Sequence, residues 1–131
     1  MRVVLFVPNW TFVDMRSKDT QGIAGVWPPT GLMYVASVLR EAGHEVFIED
    51  GAFWSSEELI ERILSHEPDV AGAFVIAMFW ERTARLFSRL KSLRPGMRLM
   101  AGGHAPSALW SKCFDDSPDL DAIVHGEAEY T

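Results

Sequence analysis

The sequence has 131 residues, of which 48% are hydrophobic and 23% charged, and its formal net charge is -6. A chain of this length can build one hydrophobic core and is too short for two domains of ordinary size, so we predict a single domain over residues 1–131. Acidic and basic residues are interspersed without a basic run. Nucleic acid is therefore not an expected partner, because its binding depends on Lys and Arg side chains that neutralise phosphates.

The cysteine content and the N-terminal sequence indicate the cellular compartment of the protein. Cys113 is the single cysteine, so the chain cannot form an internal disulfide, nor by itself a cysteine-ligated zinc or iron–sulfur site. The apolar run that follows Arg2 ends at Pro8, which is too short for a signal peptide or a membrane span. We predict a cytoplasmic protein without a membrane partner.

Short apolar runs rich in β-branched residues alternate with helical patterns along the chain, which predicts βαβ units around a parallel sheet. The third run carries no charge, as expected of a central strand that is covered on both faces. The fold class is therefore α/β, with a doubly wound sheet. The predicted strands are Arg2–Val7, Glu45–Asp50, 70–77, 98–101 and 122–125.

Helices are predicted between these strands, and two of them carry clear end signals. The first should end at Gly43, a glycine in the C-capping position. The second should begin with a capping box, in which the side chains of Ser55 and Glu58 each bond the other's main-chain amide. The predicted helices cover residues 30–42, a segment from Ser55 that buries Leu59, Ile60, Ile63 and Leu64, residues 81–93, which bury Leu86, Phe87, Leu90 and Leu93, and residues 107–114.

A doubly wound sheet also needs a helix after its fifth strand to cover one face. The sequence ends at Thr131, where that helix would begin, and Glu127 is in position to cap it. We therefore expect the last helix to be truncated and the chain to be the N-terminal fragment of a longer protein.

The turns that follow the strands form the candidate ligand site. Right-handed crossovers bring all strand-to-helix turns to one edge of the sheet, where open α/β sheets bind ligands. The glycines in these turns would let a ligand approach the main chain, although an isolated Gly-Gly pair is explained equally well as a tight turn. The segments expected to converge are 9–10, 77–80, 102–104 and 126–127.

Several large aromatic residues fall in loops at the same edge: Trp10, Trp27, Phe79 and Trp80. Exposed aromatic area is costly unless something covers it, and a flat, wide ligand would do so. Packing over the sheet edge or against another domain is the simpler explanation for any one tryptophan. The connection from Pro8 to Pro29 is also unusually long for a βα loop, which is typical of functional or mobile loops.

Titratable residues give weaker signals. His104 follows the glycine pair and is expected to contact the ligand, whereas His125 is predicted to be structural, and His44 and His66 to lie on the surface. Glu49, with Asp50 beside it, ends the second strand, where dinucleotide-binding folds place an acid. No G-x-G-x-x-G motif follows the first strand, so this pair is also interpreted as structural.

Two other functions of the same fold class find little support. A flavodoxin needs a phosphate-binding loop rich in Ser, Thr or Gly after the first strand, and the sequence there is Pro-Asn-Trp-Thr-Phe. A phosphoreceiver needs an acidic pair after the first strand and an aspartate at the end of the third, which here ends in Ala-Met.

Five segments occur in an order that resembles a known family: WPPTGLMYVA (27–36), LREAGHEV (39–46), PDV (68–70), GGHA (102–105) and GEAE (126–129). Together they resemble the N-terminal cobalamin-binding domain of cobalamin-dependent radical S-adenosylmethionine enzymes, the group that includes the anaerobic magnesium-protoporphyrin ester cyclase. The resemblance covers nearly the whole chain.

The resemblance implies a flavodoxin-like (Rossmann-like) sheet with strand order 2-1-3-4-5 and cobalamin at the ligand edge. It further implies a downstream barrel, absent from this sequence, that binds S-adenosylmethionine and a 4Fe–4S cluster and carries out methyl transfer, cyclisation or rearrangement. This chain alone should be catalytically silent. The alternative is the same fold without cobalamin, acting as a structural or protein-interaction domain.

The resemblance also implies which residues bind the cofactor. In methionine-synthase-type domains a D-x-H-x-x-G motif supplies a cobalt-ligating histidine, but residues 14–19 contain none, so no metal ligand is predicted. The ends of the third, fourth and fifth strands would form a groove for the nucleotide tail of the cofactor. The predicted cofactor-binding residues are Asn9, Trp10, Ala77, Met78, Phe79, Gly102, Gly103, His104, Ala105, Gly126 and Glu127.

Overall fold

The computed structural model describes residues 1–8 and 28–128. Within them, five parallel strands form one sheet in the order β2-β1-β3-β4-β5, so the predicted fold class and strand order are confirmed. The predicted site residues Asn9 and Trp10, and the loop residue Trp27, lie outside the described ranges. The strands are β1 (Arg2–Val7), β2 (Glu45–Asp50), β3 (Val70–Phe74), β4 (Arg98–Gly102) and β5 (Ala122–Ile123).

The elements follow the predicted pattern apart from the fourth helix and the ends of two strands, of which the fifth stops at Ile123 rather than at residue 125. The predicted fourth helix is two short helices, because Trp110 between them adopts a positive φ of 47° that a continuous helix does not allow. The third strand ends at Phe74 rather than at residue 77, where a 3₁₀ turn, Ala77–Phe79, begins. The helices are α1 (Thr30–Glu41), α2 (Ser56–Ser65), α3 (Trp80–Leu93), α4 (His104–Leu109) and α5 (Lys112–Asp116).

The predicted end signals of α1 and α2 are both present. Gly43 has a φ of 87°, and the N–H of His44 donates to the carbonyl of Leu39 at 3.0 Å, which closes a Schellman motif. At the start of α2, the Ser55 hydroxyl accepts from the Glu58 N–H at 3.2 Å, and the Glu58 carboxylate accepts from the Ser55 N–H at 2.9 Å. These bonds satisfy main-chain groups that a helix end would otherwise leave unpaired.

The two faces of the sheet are covered unequally. Helices α2, α3, α4 and α5 all contribute to the larger apolar core on one face, together with Val4 and Phe6 of β1. On the other face α1 packs over β1 and β2, and it is the one helix there within the described residues. Of the α3 residues predicted to be buried, Leu93 is 49% exposed, so that prediction was wrong for the last turn.

A buried carboxylate ties α2 to β2. Glu49 is 5% exposed and accepts from Arg62 Nε at 2.6 Å, and it lies 2.7 Å from His66 Nε2. The imidazole of His66 stacks on Phe47, with ring centroids 4.1 Å apart. His66 was predicted to lie on a polar surface, which was wrong, because Glu49 draws it into the packing between α2 and the sheet.

Candidate functional site

The turns after β3 and β4 are held together by main-chain hydrogen bonds at the carboxyl edge of the sheet. The N–H of Val75 donates to the carbonyl of Gly102 at 2.9 Å, and the N–H of Ala105 donates to the carbonyl of Val75 at 3.0 Å. The two turns therefore form one continuous rim.

Gly103 is at the centre of this rim and has a φ of 99° and a ψ of -167°. A Cβ at this position would lie 2.9 Å from the carbonyl oxygen of Val75 and 3.0 Å from the ring of Phe74. Both the backbone conformation and the lack of space therefore require glycine.

An apolar groove of about 400 Å³ runs along the α1 side of the sheet, over the part that α1 leaves uncovered. Glycines and large apolar residues alternate on its floor, since Gly72 pairs with Met100 and Phe74 pairs with Gly102 across the β3–β4 ladder. Leu5 and Val35 form one wall, and Val124 and Gly126 lie beside β5. The volume is within the range of about 300–1,000 Å³ that is usual for small-molecule sites.

The floor glycines hold the groove open. A Cβ on Gly102 would lie 3.6 Å from Val124 Cβ, an ordinary contact distance, and its φ is outside the left-handed region. A side chain is thus compatible with the backbone here and would extend into the groove. Gly72 has less room, because a Cβ there would lie 3.1 Å from Leu5 Cδ2.

A second apolar cavity of about 310 Å³ lies at the carboxyl ends of β1 and β3. Its walls include Pro8, Ile76 and Phe79, and the carboxylate of Asp50 is the single charged side chain among the residues that line it. Asp50 also accepts from the N–H of Ala52 at 2.9 Å and so caps the turn after β2. Both cavities therefore offer mainly apolar surface, with Asp50 in the smaller cavity and His44 and Glu127 among the residues that line the larger one.

The predicted site residues divide between these features. Gly102, Gly103, Gly126 and Glu127 line the groove, and Phe79 lines the smaller cavity. Ala77, Met78 and His104 are exposed at the rim, where the His104 ring meets Phe74 edge to face. Ala105 has no exposed surface, so its role at the rim is limited to the hydrogen bond to Val75.

Trp80 and His125 have partners within the domain. Trp80 was predicted as part of the ligand edge, but it is 6% exposed in the larger core, and its Nε1 donates to Asp116 at 3.1 Å. The His125 ring meets Trp110 edge to face, with centroids 5.1 Å apart. For Trp80 the simpler explanation, packing within the protein, is therefore the correct one, and its indole N–H already has an acceptor.

Sequence reasoning missed the middle of the groove, namely Gly72, Phe74 and Met100. A glycine in the interior of a strand often marks the close approach of a ligand, so Gly72 carried a usable signal. The orientation of Phe74 and Met100 depends on which sheet face lacks a helix, and that is visible only in the assembled fold.

Two features are absent from the described part of the chain: a cluster of metal-ligating side chains and a helix that could span a membrane. Residues 1–8 and 28–128 contain no group of three or more His, Cys, Asp or Glu side chains that could hold a metal ion. No helix among these residues is both long and apolar enough to cross a bilayer.

Comparison with known families identifies the domain. The model of the B12-binding domain family matches residues 20–131, which is most of the chain. The chain belongs to the B12-binding domain family. The apolar groove and the glycine rim described above are thus features of a B12-binding domain.

Curated relatives of this B12-binding domain include much longer proteins. It is 29% identical over 132 residues to an anaerobic magnesium-protoporphyrin IX monomethyl ester cyclase of Rubrivivax gelatinosus, a match that covers 98% of this chain and 23% of the relative. It is also 29% identical to an uncharacterized methyltransferase of Pyrococcus horikoshii, over 100% of this chain and 28% of that protein. The chain thus spans about a quarter of the length of these relatives.

Solved structures confirm the fold. A cobalamin-binding protein from Desulfitobacterium hafniense superposes with a TM-score of 0.68 at 14% identity, over 98% of this chain and 55% of that chain. A CheY-like protein from Pseudomonas aeruginosa superposes with a TM-score of 0.64 at 15% identity, over 99% of this chain and 92% of that chain. At such identities the likeness concerns the fold alone.

Proposed function

We propose that this B12-binding domain binds cobalamin, with the corrin ring at the carboxyl rim of the sheet and the nucleotide tail in the apolar groove. The observation that carries the proposal is the groove itself, which is floored by Gly72 and Gly102 and opens at the rim beside Gly103 and Gly126. Glycine at these positions lets a bulky ligand lie directly against the main chain.

The residues present fit such a ligand. The 3₁₀ turn Ala77–Phe79, His104 and the Gly126–Glu127 turn lie around the rim and would contact the edge of the macrocycle. Asn9 and Trp10, which follow β1 in the sequence, are proposed to contribute from the same edge. When bound, cobalamin supplies a cobalt centre that can carry a methyl group. Residues 9–27 contain no histidine that could ligate the cobalt.

The chemistry itself is assigned to another domain. The curated relatives are a cyclase and a methyltransferase about four times as long as this chain, which supports a downstream radical S-adenosylmethionine domain with a 4Fe–4S cluster as the partner. Methyl transfer, cyclisation or rearrangement would take place there, in the cytoplasm. The B12-binding domain would present the cobalt face and perform no reaction alone.

A second candidate is a domain that binds no cobalamin and acts as an interaction surface. The outer face of α1 favours it, since Tyr34 is 69% exposed, Met33 51% and Val38 41%. Exposed apolar patches on helices are typical of protein-binding sites. In this case the double substitution Tyr34→Ser with Val38→Ser would weaken domain association, and no corrinoid would bind.

The test is retention of hydroxocobalamin by the purified chain, measured from its visible spectrum after desalting. We expect the native chain to retain corrinoid and Gly102→Leu to lose it, because the new side chain fills the groove. Gly96→Leu is the matched control, since Gly96 lies in the turn before β4 and a Cβ added there would meet nothing within 4 Å. Failure of the native chain to retain corrinoid would overturn the proposal.

A further inference from the structure

The smaller cavity at the carboxyl ends of β1 and β3 adjoins the apolar groove. Three residues line both of them: Gly31 and Leu32 of α1, and Phe74 of β3. A ligand that lies at the rim and extends into the groove is therefore next to the smaller cavity. With a volume of about 310 Å³, this cavity has room for a substituent of such a ligand.

The side chain of Asp50 points to the same side of the sheet as the smaller cavity. Side chains alternate along a strand, and Val46 and Ile48 of β2 both pack in the core that includes α1. Asp50 continues this spacing at the end of β2, and it is among the residues that line the cavity. Its negative charge is thus placed beside apolar walls such as those of Ile76 and Phe79.

The carboxylate of Asp50 can accept more hydrogen bonds than the turn after β2 requires. One oxygen accepts from the N–H of Ala52 at 2.9 Å and caps that turn. A carboxylate has about four acceptor positions on its two oxygens, so positions remain for a ligand. Asparagine would cap the turn as well, because its side-chain oxygen accepts the same bond. The turn alone therefore does not account for the negative charge.

A carboxylate beside apolar walls favours a ligand group that donates hydrogen bonds. A bond to an ionised acceptor is stronger than one between neutral groups, and apolar surroundings strengthen it further. The periphery of a corrin macrocycle carries primary amide side chains, and each of these amides offers two N–H donors. Because an amide is neutral, it can enter the cavity without the cost of removing a second charge from water.

We propose, on the basis of the proposed function, that the smaller cavity receives a peripheral amide of the corrin macrocycle and that Asp50 accepts hydrogen bonds from its N–H groups. Phe74 and Phe79 would contact the hydrocarbon part of the same substituent. A single polar contact of this kind fixes the orientation of a ligand that otherwise rests on apolar surface. A corrinoid with a carboxylate in place of this amide would bind poorly, because two negative charges would meet.

The first test is Asp50→Asn, which keeps the acceptor for the Ala52 N–H and removes the charge. We expect hydroxocobalamin to bind this variant of the full chain about tenfold more weakly than the native chain, as measured by spectral titration, because a hydrogen bond to a charged group is replaced by a neutral one. Glu41→Gln is the matched control. Glu41 is exposed at the end of α1 and lines neither cavity, so this variant should bind as the native chain does.

The second test changes the ligand. It uses a series of monocarboxylic acids of cobalamin, in each of which a different peripheral amide is hydrolysed, at neutral pH. We expect the native chain to bind one acid of the series about tenfold more weakly than the others. Asp50→Asn should remove this difference, whereas Glu41→Gln should preserve it. If the native chain binds all the acids alike, the inference is overturned, even where Asp50→Asn weakens the binding of hydroxocobalamin.

The outcomes separate this inference from the function on which it rests. If the native chain binds neither hydroxocobalamin nor any of the acids, both fail. If the native chain and folded Asp50→Asn bind hydroxocobalamin equally, the cobalamin-binding function stands and the role of Asp50 is overturned. Thermal unfolding checks that the variant is folded, and if it is not, the series of acids decides the question with the native chain alone.

Discussion

At Gly103, the surrounding structure determines that the residue must be glycine. Its positive φ and the 2.9 Å that would separate a Cβ from the Val75 oxygen act independently, so neither can be relieved without moving the rim. Glycine adopts this conformation without steric strain, but it loses more conformational freedom on folding than any other residue.

Substitution of Gly103 should therefore destabilise the domain. We expect Gly103→Ala to lower the free energy of unfolding by at least about 2 kcal/mol, because the alanine backbone is strained and its methyl group overlaps the Val75 carbonyl. Urea denaturation at neutral pH measures the change. Gly96→Ala, where a Cβ meets nothing within 4 Å, should alter stability little, and an equal loss in both variants would refute the argument.

At the scale of single residues, the sequence predicted that glycines lie at the rim. It did not predict the directions in which side chains point. Gly102, Gly103 and Gly126 were predicted from their place after strands, and they line the groove. Trp80 was expected at the same edge, where either a ligand or packing could cover it, and its indole packs in the core and donates to Asp116. Burial of a loop aromatic depends on distant segments, which local sequence does not encode.

Among the elements, β5 depends on a side chain just before it. Asp121 accepts from the N–H of Leu99 at 2.7 Å and from Lys91 Nζ at 2.9 Å, which joins the start of β5 to β4 and α3. Partial burial opposes ionisation of this carboxyl, but the Lys91 ammonium and the Leu99 N–H outweigh it and hold the pKa of Asp121 below its ordinary value. The charged carboxylate is therefore the form that stabilises the fold.

The pH dependence of stability follows from this shift. A folded-state pKa below the unfolded value gives a contribution that is present above about pH 4 and is lost as the pH falls through the folded pKa. We expect Asp121→Asn to lower stability at neutral pH and to show a smaller further loss on acidification than the native chain. Urea unfolding at about pH 7, pH 4 and pH 3 measures how the free energy of unfolding of each protein changes with pH. Equal losses on acidification in the native chain and in Asp121→Asn would contradict the prediction.

The elements that could be predicted are those with local signals. The capping box at Ser55 and the glycine cap at Gly43 fix the ends of α2 and α1 through bonds within a few residues. The break at Trp110 has no such signal, since an aromatic residue at positive φ is unfavourable by itself and is held there by tertiary contacts, including the ring of His125. Strand order was predicted through the family resemblance and not from the pattern of residues.

At the scale of the whole domain, the described residues cover the two faces of the sheet unequally. Four helices pack on one face and α1 alone on the other among the described residues, which leaves β3, β4 and the segment after β5 bordering the groove. From the sequence, the helix after the fifth strand was expected to be truncated, but the depth and apolar character of the groove depend on how α1 is placed.

A ligand in this groove should stabilise the entire domain. Because it would bind the folded chain and not the unfolded chain, free hydroxocobalamin at about 100 times its dissociation constant should raise the free energy of unfolding by about 2.7 kcal/mol. Thermal unfolding with and without the ligand measures the effect. Gly102→Leu should show no such rise, while Gly96→Leu should match the native chain.

The two hydrogen bonds that join the turns after β3 and β4 have a further consequence for ligand binding. They join Val75 to both Gly102 and Ala105, so protein groups alone hold this stretch of main chain in place. Little conformational entropy is left to lose there when a guest molecule arrives. We therefore expect a ligand to bind at this part of the rim without a slow conformational change after the encounter.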